Sequence, residues 1–559
     1  MNEASLTTSE EHREIPPVGR IVSVTGSRAI VHLAGCQKAD AASALPAQRP
    51  EMGTLLRIEA ASSMVFGLVT ALRVESYEAA STVAETWIAE LDLVGELLMN
   101  DKGEYPTFRR GVTAYPNLGD EVYLATQQEL RKTFAHDDEA TIEIGQLTQD
   151  SSIPAVLKVD ELLGKHFAIL GTTGTGKSCT VALLLRSILW DNPLAHVLLI
   201  DPHNEYSASF GQAAEVVSPE NLYLPYWFLT FQEIVEVFLG DRPNSLAEQE
   251  ILADVIPAAK ARYAHGQQRN ARGAQKSPRA RLNDGPAYTV DSPVPYRISD
   301  VLDLILDRMG RLEHKNSLGP YKLLKSRIES VSKDPRFAFM FGSVTVNDDM
   351  SSILSRLFRI PVNNKPITIL ELTGLPSEVI NVVVSVITRM TFDFALWSNG
   401  LVPVTIVCEE AHRYIPKDPN AGFEPTRRAI SRIAKEGRKY GVSLGIVTQR
   451  PTELDPTIVS QCNTVFAMRM SNELDQAMVR AAIPDAAESV LEFLPSLGTG
   501  EAIAFGDGVT LPARLRFHML PEHAMPHSTT AKFSEKWSKN ITDPKFMEAV
   551  IRRWRSAGH

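Results

Sequence analysis

The stretch HFAILGTTGTGKSCTVALLLRSI occupies residues 166–188 and sets the expectations for the rest of the chain. A short apolar strand at 167–170 leads into GTTGTGKS at 171–178, and an apolar helix follows. These eight residues match G-x-x-x-x-G-K-[ST], the P-loop pattern, in its required position between a strand and a helix. The glycines allow a tight turn whose N–H groups point at a phosphate, and the helix N-terminus adds its positive dipole end. The stretch therefore predicts a nucleotide-binding site in an α/β fold.

Two side chains of this stretch are predicted to act on the nucleotide directly. Lys177 is expected to reach the β- and γ-phosphates, and the Ser178 hydroxyl is expected to ligate Mg²⁺. The predicted cofactors are ATP and Mg²⁺. The predicted nucleotide-binding residues here are Gly171, Thr172, Thr173, Gly174, Thr175, Gly176, Lys177, Ser178 and Cys179.

The composition bounds the class of protein. A chain of 559 residues exceeds one hydrophobic core and predicts two to four domains. Its four cysteines show no C-x-x-C spacing, which favours a reducing, cytoplasmic setting over a zinc or disulfide site. The N-terminal residues are polar and no uninterrupted apolar run is long enough to span a bilayer, so we expect neither export nor membrane insertion. The net charge of −10 excludes a uniformly basic surface. A ring can place its basic residues in its central channel, so the net charge does not exclude nucleic-acid binding.

The N-terminal part of the chain reads as a small β-barrel. Residues 1–17 are polar and predicted to be disordered, and residues 18–140 contain short alternating apolar stretches separated by Gly and Pro. The predicted strands are 20–24, 29–33, 55–58, 65–69, 91–98 and 121–125. Two roles stay open for this domain: assembly and partner contact, or a cap that only stabilises the core.

Beyond residue 141 the chain alternates apolar strands with helices, which predicts a mostly parallel sheet with helices on both faces. This core is predicted in two parts, 141–218 and 351–518, separated by a mostly helical insertion at 219–350. The tail at 519–559 either braces a neighbouring subunit or covers its own core.

The insertion also contains a basic stretch without acidic residues. Its members are Lys260, Arg262, Arg269, Arg272, Lys276, Arg279 and Arg281. Two interpretations stay open, a mobile loop that contacts phosphates and a solvated connector.

Polar side chains follow the predicted central strands, where α/β sheets bind their ligands. In TIVCEEAHR, Glu409 takes the place that usually holds a metal-linked Asp, and Glu410 is expected to polarise the attacking water. Thr448 and Gln449 end the next strand and are predicted to sense the γ-phosphate, the alternative being a turn that is merely polar. Asp201 likewise ends the strand that follows the P-loop helix.

The segment RIAKEGRKYG, residues 432–441, is the basic end of a helix. An arginine there is a candidate to cross a subunit boundary and stabilise transition-state charge on a neighbour's ATP. The alternative is favourable pairing of Arg and Lys with the helix C-terminus.

Five motifs occur in a fixed order: GTTGTGKS, IDPHNEY, VCEEAHRYIP, RIAKEGRKYG and IVTQRP. With the barrel, they resemble the HerA family of hexameric DNA translocases, related to FtsK, over about residues 18–520. The resemblance implies an α/β, RecA-like P-loop ATPase core with an N-terminal HAS-barrel-like assembly domain, a helical insertion and a C-terminal brace. It also implies a homohexamer that hydrolyses ATP at subunit interfaces and acts on double-stranded DNA.

By motif match, the resemblance makes Glu409 and Glu410 the Walker B pair and Gln449 the sensor. Arg432 or Arg438 becomes the trans-acting arginine. Asp201 and Glu205, in IDPHNEY, match a family motif near the nucleotide.

The resemblance further implies a partner docked on the barrel, either a nuclease of the NurA type or, in antiviral defence operons, a sirtuin-type NAD hydrolase. The chain itself shows no nuclease or NAD-hydrolysing motif. The leading function is therefore an ATP-driven DNA translocase. The alternative is an ATP-binding scaffold or regulator of a partner effector, and a P-loop small-molecule kinase is disfavoured by the Glu-Glu pair and the sensor Gln.

Overall fold

A computed structural model describes most of the chain. The described residues are 16–34, 50–60, 63–79, 82–100, 105, 108–134, 140–240, 245–271, 288–311, 318–342, 346–418, 421–481, 485–527, 533–538 and 545–557. Residues 1–15 of the predicted disordered segment 1–17 fall outside them, as do Arg272, Lys276, Arg279 and Arg281 of the basic stretch. The chain divides into two compact units, the first comprising Met1–Leu162, Leu170–Thr180 and Asn463–Met519, and the second Leu163–Ile169, Val181–Cys462 and Leu520–His559.

The strands are β1 (Gly19–Thr25), β2 (Arg28–Leu33), β3 (Leu55–Glu59), β4 (Ser63–Ala79), β5 (Thr82–Leu98), β6 (Phe108–Arg110), β7 (Glu121–Leu124), β8 (Thr141–Leu147), β9 (Pro154–Lys158), β10 (Phe167–Leu170), β11 (Val197–Asp201), β12 (Ala214–Val217), β13 (Ile367–Glu371), β14 (Val404–Cys408), β15 (Val442–Thr448), β16 (Thr464–Met468), β17 (Glu501–Gly506) and β18 (Ala513–Phe517). The α-helices are α1 (Gln127–Phe134), α2 (Val159–Gly164), α3 (Lys177–Asp191), α4 (Ser207–Phe210), α5 (Phe231–Leu239), α6 (Leu246–Ala271), α7 (Ile298–Arg311), α8 (Leu318–Ser332), α9 (Ala338–Phe341), α10 (Met350–Phe358), α11 (Ser377–Trp397), α12 (Glu424–Tyr440), α13 (Pro456–Val459), α14 (Glu473–Ala481), α15 (Phe533–Trp537) and α16 (Lys545–Ala557).

The N-terminal strands of the first unit form a closed barrel, which confirms the predicted β-barrel. The pairing order is β2-β1-β7-β3-β4-β5, and an additional β2–β5 pairing closes the six strands, while β6 pairs with β5. Alternate residues of these strands point inward, as the period of two requires. They form a core that includes Ile21, Val31, Ile58, Val65 and Leu91.

Strands β4 and β5 are much longer than predicted, because each has 17 residues. The apolar pattern marks only the parts that enter the barrel core. Beyond it, the strands pair from Arg73–Ile88 to Ala79–Thr82, so backbone hydrogen bonds continue the hairpin.

The remaining strands of the first unit pair antiparallel in the order β16-β17-β18-β8-β9. The barrel is joined to this sheet through Arg110 at the end of β6. Its guanidinium donates to the carbonyl oxygens of Thr510 at 2.5 Å, Gly506 at 2.6 Å and Val509, all in the β17–β18 turn.

The second unit contains the predicted parallel sheet, in the order β12-β13-β11-β14-β15-β10. The pairs β12–β13, β13–β11, β11–β14 and β14–β15 are all parallel. β12 was not predicted as a strand. Gly445 of β15 permits the close approach of β10, since a Cβ there would lie 2.4 Å from the Phe167 ring.

Helix α11 lies against α12 in the second unit and is buried along most of its length. Among the described residues it is the one helix long and apolar enough to cross a membrane, and 72% of its most apolar window is buried inside the protein. Helices in the core of a soluble protein can have the same length and the same apolar composition.

The region between β12 and β13 is helical, comprising α5 to α10, and it changes the interpretation of the basic stretch. Lys260 lies on α6 and is fully buried. Its Nζ donates to the carbonyl oxygens of Thr289 at 3.3 Å, Val290 at 2.5 Å and Ser292 at 2.7 Å, and burial lowers its pKa to about 8. Lys260 therefore belongs neither to a phosphate-contacting loop nor to a solvated connector. It links α6 to residues 289–292.

Candidate active site

The P-loop follows β10 directly and belongs to the first unit. Gly174 and Gly176 have φ of 77° and 100°, a region that favours glycine. Thr175 is fully buried, and its hydroxyl donates to the Thr172 carbonyl at 2.8 Å. The buried Lys177 also donates from Nζ to that carbonyl, at 2.9 Å. The loop is thus a compact turn with its lysine folded over it.

The first turn of α3 completes the predicted phosphate site. Ser178 is partly exposed and Cys179 is exposed. Thr173 and Gly174 are exposed as well. The exposed residues Thr173 and Gly174 are therefore accessible to a ligand, while the buried Thr175 anchors the loop to the protein interior.

The end of β16 contacts the start of the P-loop and supports it, a contact that the sequence did not predict. Thr172 donates from its backbone N–H at 3.1 Å and its hydroxyl at 3.0 Å to the carbonyl of Arg469. Gly171 permits the approach of Met468, because a Cβ there would lie 2.7 Å from the Met468 Cβ. No motif marks β16, since it supports the loop through backbone atoms and packing.

The two predicted carboxylates follow β14 in the second unit, and both are buried. Glu409 accepts a 2.7 Å hydrogen bond at Oε2 from the hydroxyl of Tyr206, which is itself fully buried. Glu410 has φ 51° and ψ 45°. A left-handed conformation in a non-glycine residue costs energy and is typical of functional sites. This backbone turn separates the directions of two consecutive carboxylates.

Three polar side chains surround the Glu410 carboxylate. Gln449 donates from Nε2 to Oε1, His203 Nε2 lies 3.8 Å from Oε1, and His412 Nδ1 lies 3.4 Å from Oε2. The His412 Nδ1 also lies 3.0 Å from the Thr448 hydroxyl. Burial lowers the pKa of His412, although Glu410 opposes the shift.

Atom Oε2 of Glu410 is buried and accepts no hydrogen bond from any described residue. A buried oxygen without a hydrogen-bond donor is costly unless it has a ligand or water to bind. The arrangement therefore fits a carboxylate that accepts a proton from an attacking water, with Gln449 fixing its other oxygen.

Asp201 ends β11 and is fully buried. Its carboxylate accepts the backbone N–H groups of His203 at 3.2 Å and Tyr206 at 3.0 Å, and burial raises its pKa. Asp201 thereby shapes the turn that carries Tyr206 towards Glu409. Glu205, in the same turn, is partly exposed and its carbonyl accepts the His527 N–H at 2.9 Å.

The two candidate trans-acting arginines differ in their surroundings. The Arg432 guanidinium lies 4.0 Å from the Phe392 ring centroid and 3.6 Å from an Asp393 carboxylate oxygen. Arg438 is exposed, and its side chain forms no hydrogen bond, ion pair or ring contact with the described residues. Arg432 is therefore engaged within its own chain, whereas Arg438 is not.

The residues present fit a magnesium nucleotide. The described residues contain no cluster of three or more His, Cys, Asp or Glu side chains able to hold a metal ion by themselves. Mg²⁺ usually takes one or two protein oxygens together with waters and substrate phosphates. The Ser178 hydroxyl, in the first unit, is an oxygen of that kind, and the Glu409 carboxylate, in the second unit, is another.

Comparison with known proteins identifies the family. The "DNA double-strand break repair helicase HerA" of Saccharolobus solfataricus is 30% identical over 415 residues, covering 72% of this chain and 73% of that protein. The chain belongs to the HerA family. The family model "Helicase HerA, central domain" matches residues 142–391. The "Probable helicase MJECL08" of Methanocaldococcus jannaschii is 28% identical over 423 residues, covering 72% of this chain and 75% of that protein.

Among solved structures, VirB4 of Thermoanaerobacter pseudethanolicus has a TM-score of 0.47 and 14% identity, covering 70% of this HerA-family chain and 99% of its own. The family and the P-loop together establish an ATPase of the helicase type that binds nucleotide.

Proposed function

We propose that this HerA-family protein is a ring-shaped, ATP-driven motor that moves double-stranded DNA. Six copies would enclose the duplex and hydrolyse ATP at their subunit interfaces in the cytoplasm. The curated relatives support this proposal, since one is named a DNA double-strand break repair helicase. The observation that carries it is the buried Glu410 carboxylate, whose Oε1 accepts a hydrogen bond from Gln449 and whose Oε2, 3.4 Å from His412 Nδ1, accepts none from a described residue.

Each site residue has a proposed role. The backbone N–H groups of residues 171–179 and the Lys177 ammonium bind the ATP phosphates, and the Ser178 hydroxyl and Glu409 hold Mg²⁺. Bound Mg²⁺ would neutralise charge that develops on the phosphates. Asp201 and Glu205 shape the turn of IDPHNEY near the nucleotide.

Glu410 orients and deprotonates the attacking water, while Gln449 links that carboxylate to the end of β15. Loss of the γ-phosphate would then change the position of Glu410, and the hydrogen bond to Gln449 would transmit that change to β15. Arg438 is the proposed trans-acting arginine because, among the described residues, nothing in its own chain engages it.

The barrel is the proposed docking site for a partner nuclease or an NAD-hydrolysing effector, including one in antiviral defence. The reason is that the chain shows no motif for effector chemistry of its own. The C-terminal helices α15 and α16 are the proposed brace on a neighbouring subunit. Residues of α16 with described side chains are almost all exposed. They include the apolar side chains of Met547 and Trp554, which are available for such a contact.

The proposal is tested by steady-state ATP hydrolysis with and without duplex DNA, at two stated salt concentrations because phosphate contacts are salt-dependent. Wild type is compared with Lys177→Ala and with Lys439→Ala, an exposed lysine of α12 outside the P-loop. We expect DNA to stimulate wild type and Lys439→Ala and to leave Lys177→Ala inactive. Hydrolysis that is indifferent to DNA would instead support the scaffold function.

A further inference from the structure

The turn Gly498–Gly500 lies against the P-loop, within the first unit. The Gly500 N–H donates to the Thr175 carbonyl at 2.9 Å. A Cβ on Gly176 would lie 3.4 Å from the Gly500 nitrogen, so the two backbones are close. Gly500 has φ 75°, which favours glycine there. The turn therefore contacts the two residues that precede Lys177.

That contact bears on the orientation of a phosphate-binding group. The peptide group between Thr175 and Gly176 is planar and trans, so its C=O and N–H point in opposite directions. When Gly500 holds the Thr175 carbonyl, the Gly176 N–H is directed to the other side. Successive N–H groups of a P-loop must point at the phosphates for binding.

The turn is itself held by Glu501, the first residue of β17. The Gly498 N–H donates to Glu501 Oε2 at 3.0 Å, and the Glu501 N–H returns to the Gly498 carbonyl at 3.3 Å. The Phe517 N–H binds the Gly500 carbonyl at 2.9 Å. One carboxylate and two backbone groups thus fix the turn.

The Glu501 carboxylate is buried and carries two arginine partners on β18. Arg514 Nη2 donates to Oε2 at 2.7 Å, and Arg516 Nη2 donates to Oε1 at 2.7 Å. Burial alone would raise the pKa of Glu501, but hydrogen bonds from Arg514, Arg516 and Gly498 hold it at about 2. The carboxylate is therefore ionised at any working pH and is locked in place by charge-assisted hydrogen bonds.

We propose that Glu501 is a positioning residue for nucleotide binding, acting through the Gly498–Gly500 turn to orient the Thr175–Gly176 peptide of the P-loop. This inference rests on the proposed function, in that the P-loop must bind ATP. Glu501 does not touch the nucleotide in this scheme. Its effect falls on affinity for the phosphates rather than on the chemical step.

The test compares Glu501→Gln with wild type in the full chain. The variant keeps the size of the side chain but removes the charge that binds Arg514 and Arg516. The matched control is Glu215→Gln, on β12 of the second unit. The Glu215 carboxylate likewise has two basic partners, Arg356 at 2.9 Å and Lys365 at 3.0 Å. The readouts are the Kd of a fluorescent ADP analogue, the KM and kcat for ATP, and the melting temperature.

We expect Glu501→Gln to raise the Kd for ADP and the KM for ATP about tenfold, the effect of one charge-assisted hydrogen bond. Its kcat at saturating ATP should change less than about twofold. Glu215→Gln should leave the Kd for ADP and the KM for ATP unchanged. A lower melting temperature with unchanged ADP affinity would mean that Glu501 only stabilises the fold, and would overturn the proposal.

A second variant keeps the test decisive if Glu501→Gln does not fold. Arg516→Gln removes one partner of Glu501 at a side chain that is 70% exposed, so the fold should tolerate it. We expect a smaller rise in the ADP Kd, about threefold, and unchanged affinity would again overturn the proposal. Wild type and Lys177→Ala are measured first, since equal ADP affinity in those two would refute nucleotide binding at the P-loop and the role of Glu501 with it. Weaker ADP binding by Lys177→Ala together with wild-type affinity in the Glu501 and Arg516 variants would refute the role of Glu501 alone.

Discussion

The side-chain amide of Gln449 donates a hydrogen bond to Oε1 of Glu410. The two residues follow β15 and β14, which are neighbouring parallel strands. Parallel pairing brings the carboxyl ends of both strands to the same edge, so two residues 39 apart in the sequence meet there. The proposed water-activating carboxylate is therefore fixed by the proposed sensor.

Gln449→Ala should lower kcat for ATP hydrolysis by at least about tenfold, because Glu410 loses the donor that orients it. ADP affinity should not change, since Gln449 is not a proposed phosphate ligand. Gln461→Ala, at an exposed glutamine, is the control. An unchanged kcat in Gln449→Ala would show that the hydrogen bond has no part in hydrolysis.

Tyr206→Phe should raise the Mg²⁺ concentration needed for half-maximal ATPase activity several-fold, because Glu409 loses the hydroxyl that holds its Oε2. The free energy of unfolding should fall by about 1–2 kcal/mol for the lost buried hydrogen bond. The matched control is Tyr123→Phe, whose hydroxyl binds Glu121 at 2.7 Å in the barrel. If the two variants have the same Mg²⁺ dependence, Tyr206 does not orient a metal ligand.

Arg438→Ala should leave the free energy of unfolding unchanged and reduce ATPase activity by about 10³-fold, as expected for a trans-acting arginine. Arg432→Ala should instead lower that free energy by about 1 kcal/mol, since Arg432 stacks on Phe392 and pairs with Asp393. Urea unfolding and ATPase assays of both variants check this. The reverse pattern, with activity lost only in Arg432→Ala, would reassign the role.

The free energy of unfolding should fall as the pH drops below about 6.5, in part through His166. Its Nδ1 accepts the Leu444 N–H at 3.0 Å and its Nε2 lies 3.1 Å from the Ala434 carbonyl. Burial lowers the pKa of His166 below its ordinary value of 6.5. The unfolded chain therefore binds a proton that the folded chain does not, and acid favours unfolding.

Urea unfolding at several pH values measures this dependence. His166→Gln should weaken the dependence between pH 7.5 and 5.5 without abolishing it, because burial also lowers the pKa of His412. His265→Gln, at an exposed histidine, should retain the wild-type dependence. A wild-type slope in His166→Gln would contradict the assignment.

Lys260→Met should lower the free energy of unfolding by about 2 kcal/mol, because three backbone carbonyls lose their buried donor. DNA affinity should not change. Arg262→Met, at an exposed position two residues further along α6, is the control. Weaker DNA binding by a folded Lys260→Met protein would restore the phosphate-contacting interpretation.

Most elements of the two sheets could be predicted, because each strand carries its own local pattern. β10, β11, β14 and β15 are continuous apolar runs followed by polar residues, as buried parallel strands are. The distal half of the β4–β5 hairpin could not be predicted from burial patterns. Its strands continue through mutual hydrogen bonding, which leaves no apolar signature.

The residues that support the candidate site were missed for a related reason. Tyr206 and Glu409 are 203 residues apart, and Thr172 and Arg469 are 297 apart. Neither Tyr206 nor Arg469 stands in a pattern that specifies its partner. Such pairs depend on strand order and register, which short segments of sequence do not encode.

By itself, the sequence determined the P-loop, the carboxylate pair, the barrel and the α/β class. These follow from local rules, since glycine positions, apolar period and polar strand ends act within a few residues of one another. The tertiary structure alone decided that Gln449 binds Glu410, that Tyr206 holds Glu409, that Lys260 is buried and that Gly500, in the turn held by Glu501, binds the P-loop. Each of these contacts joins segments far apart in the chain, and only the packed sheets bring their atoms within hydrogen-bonding distance.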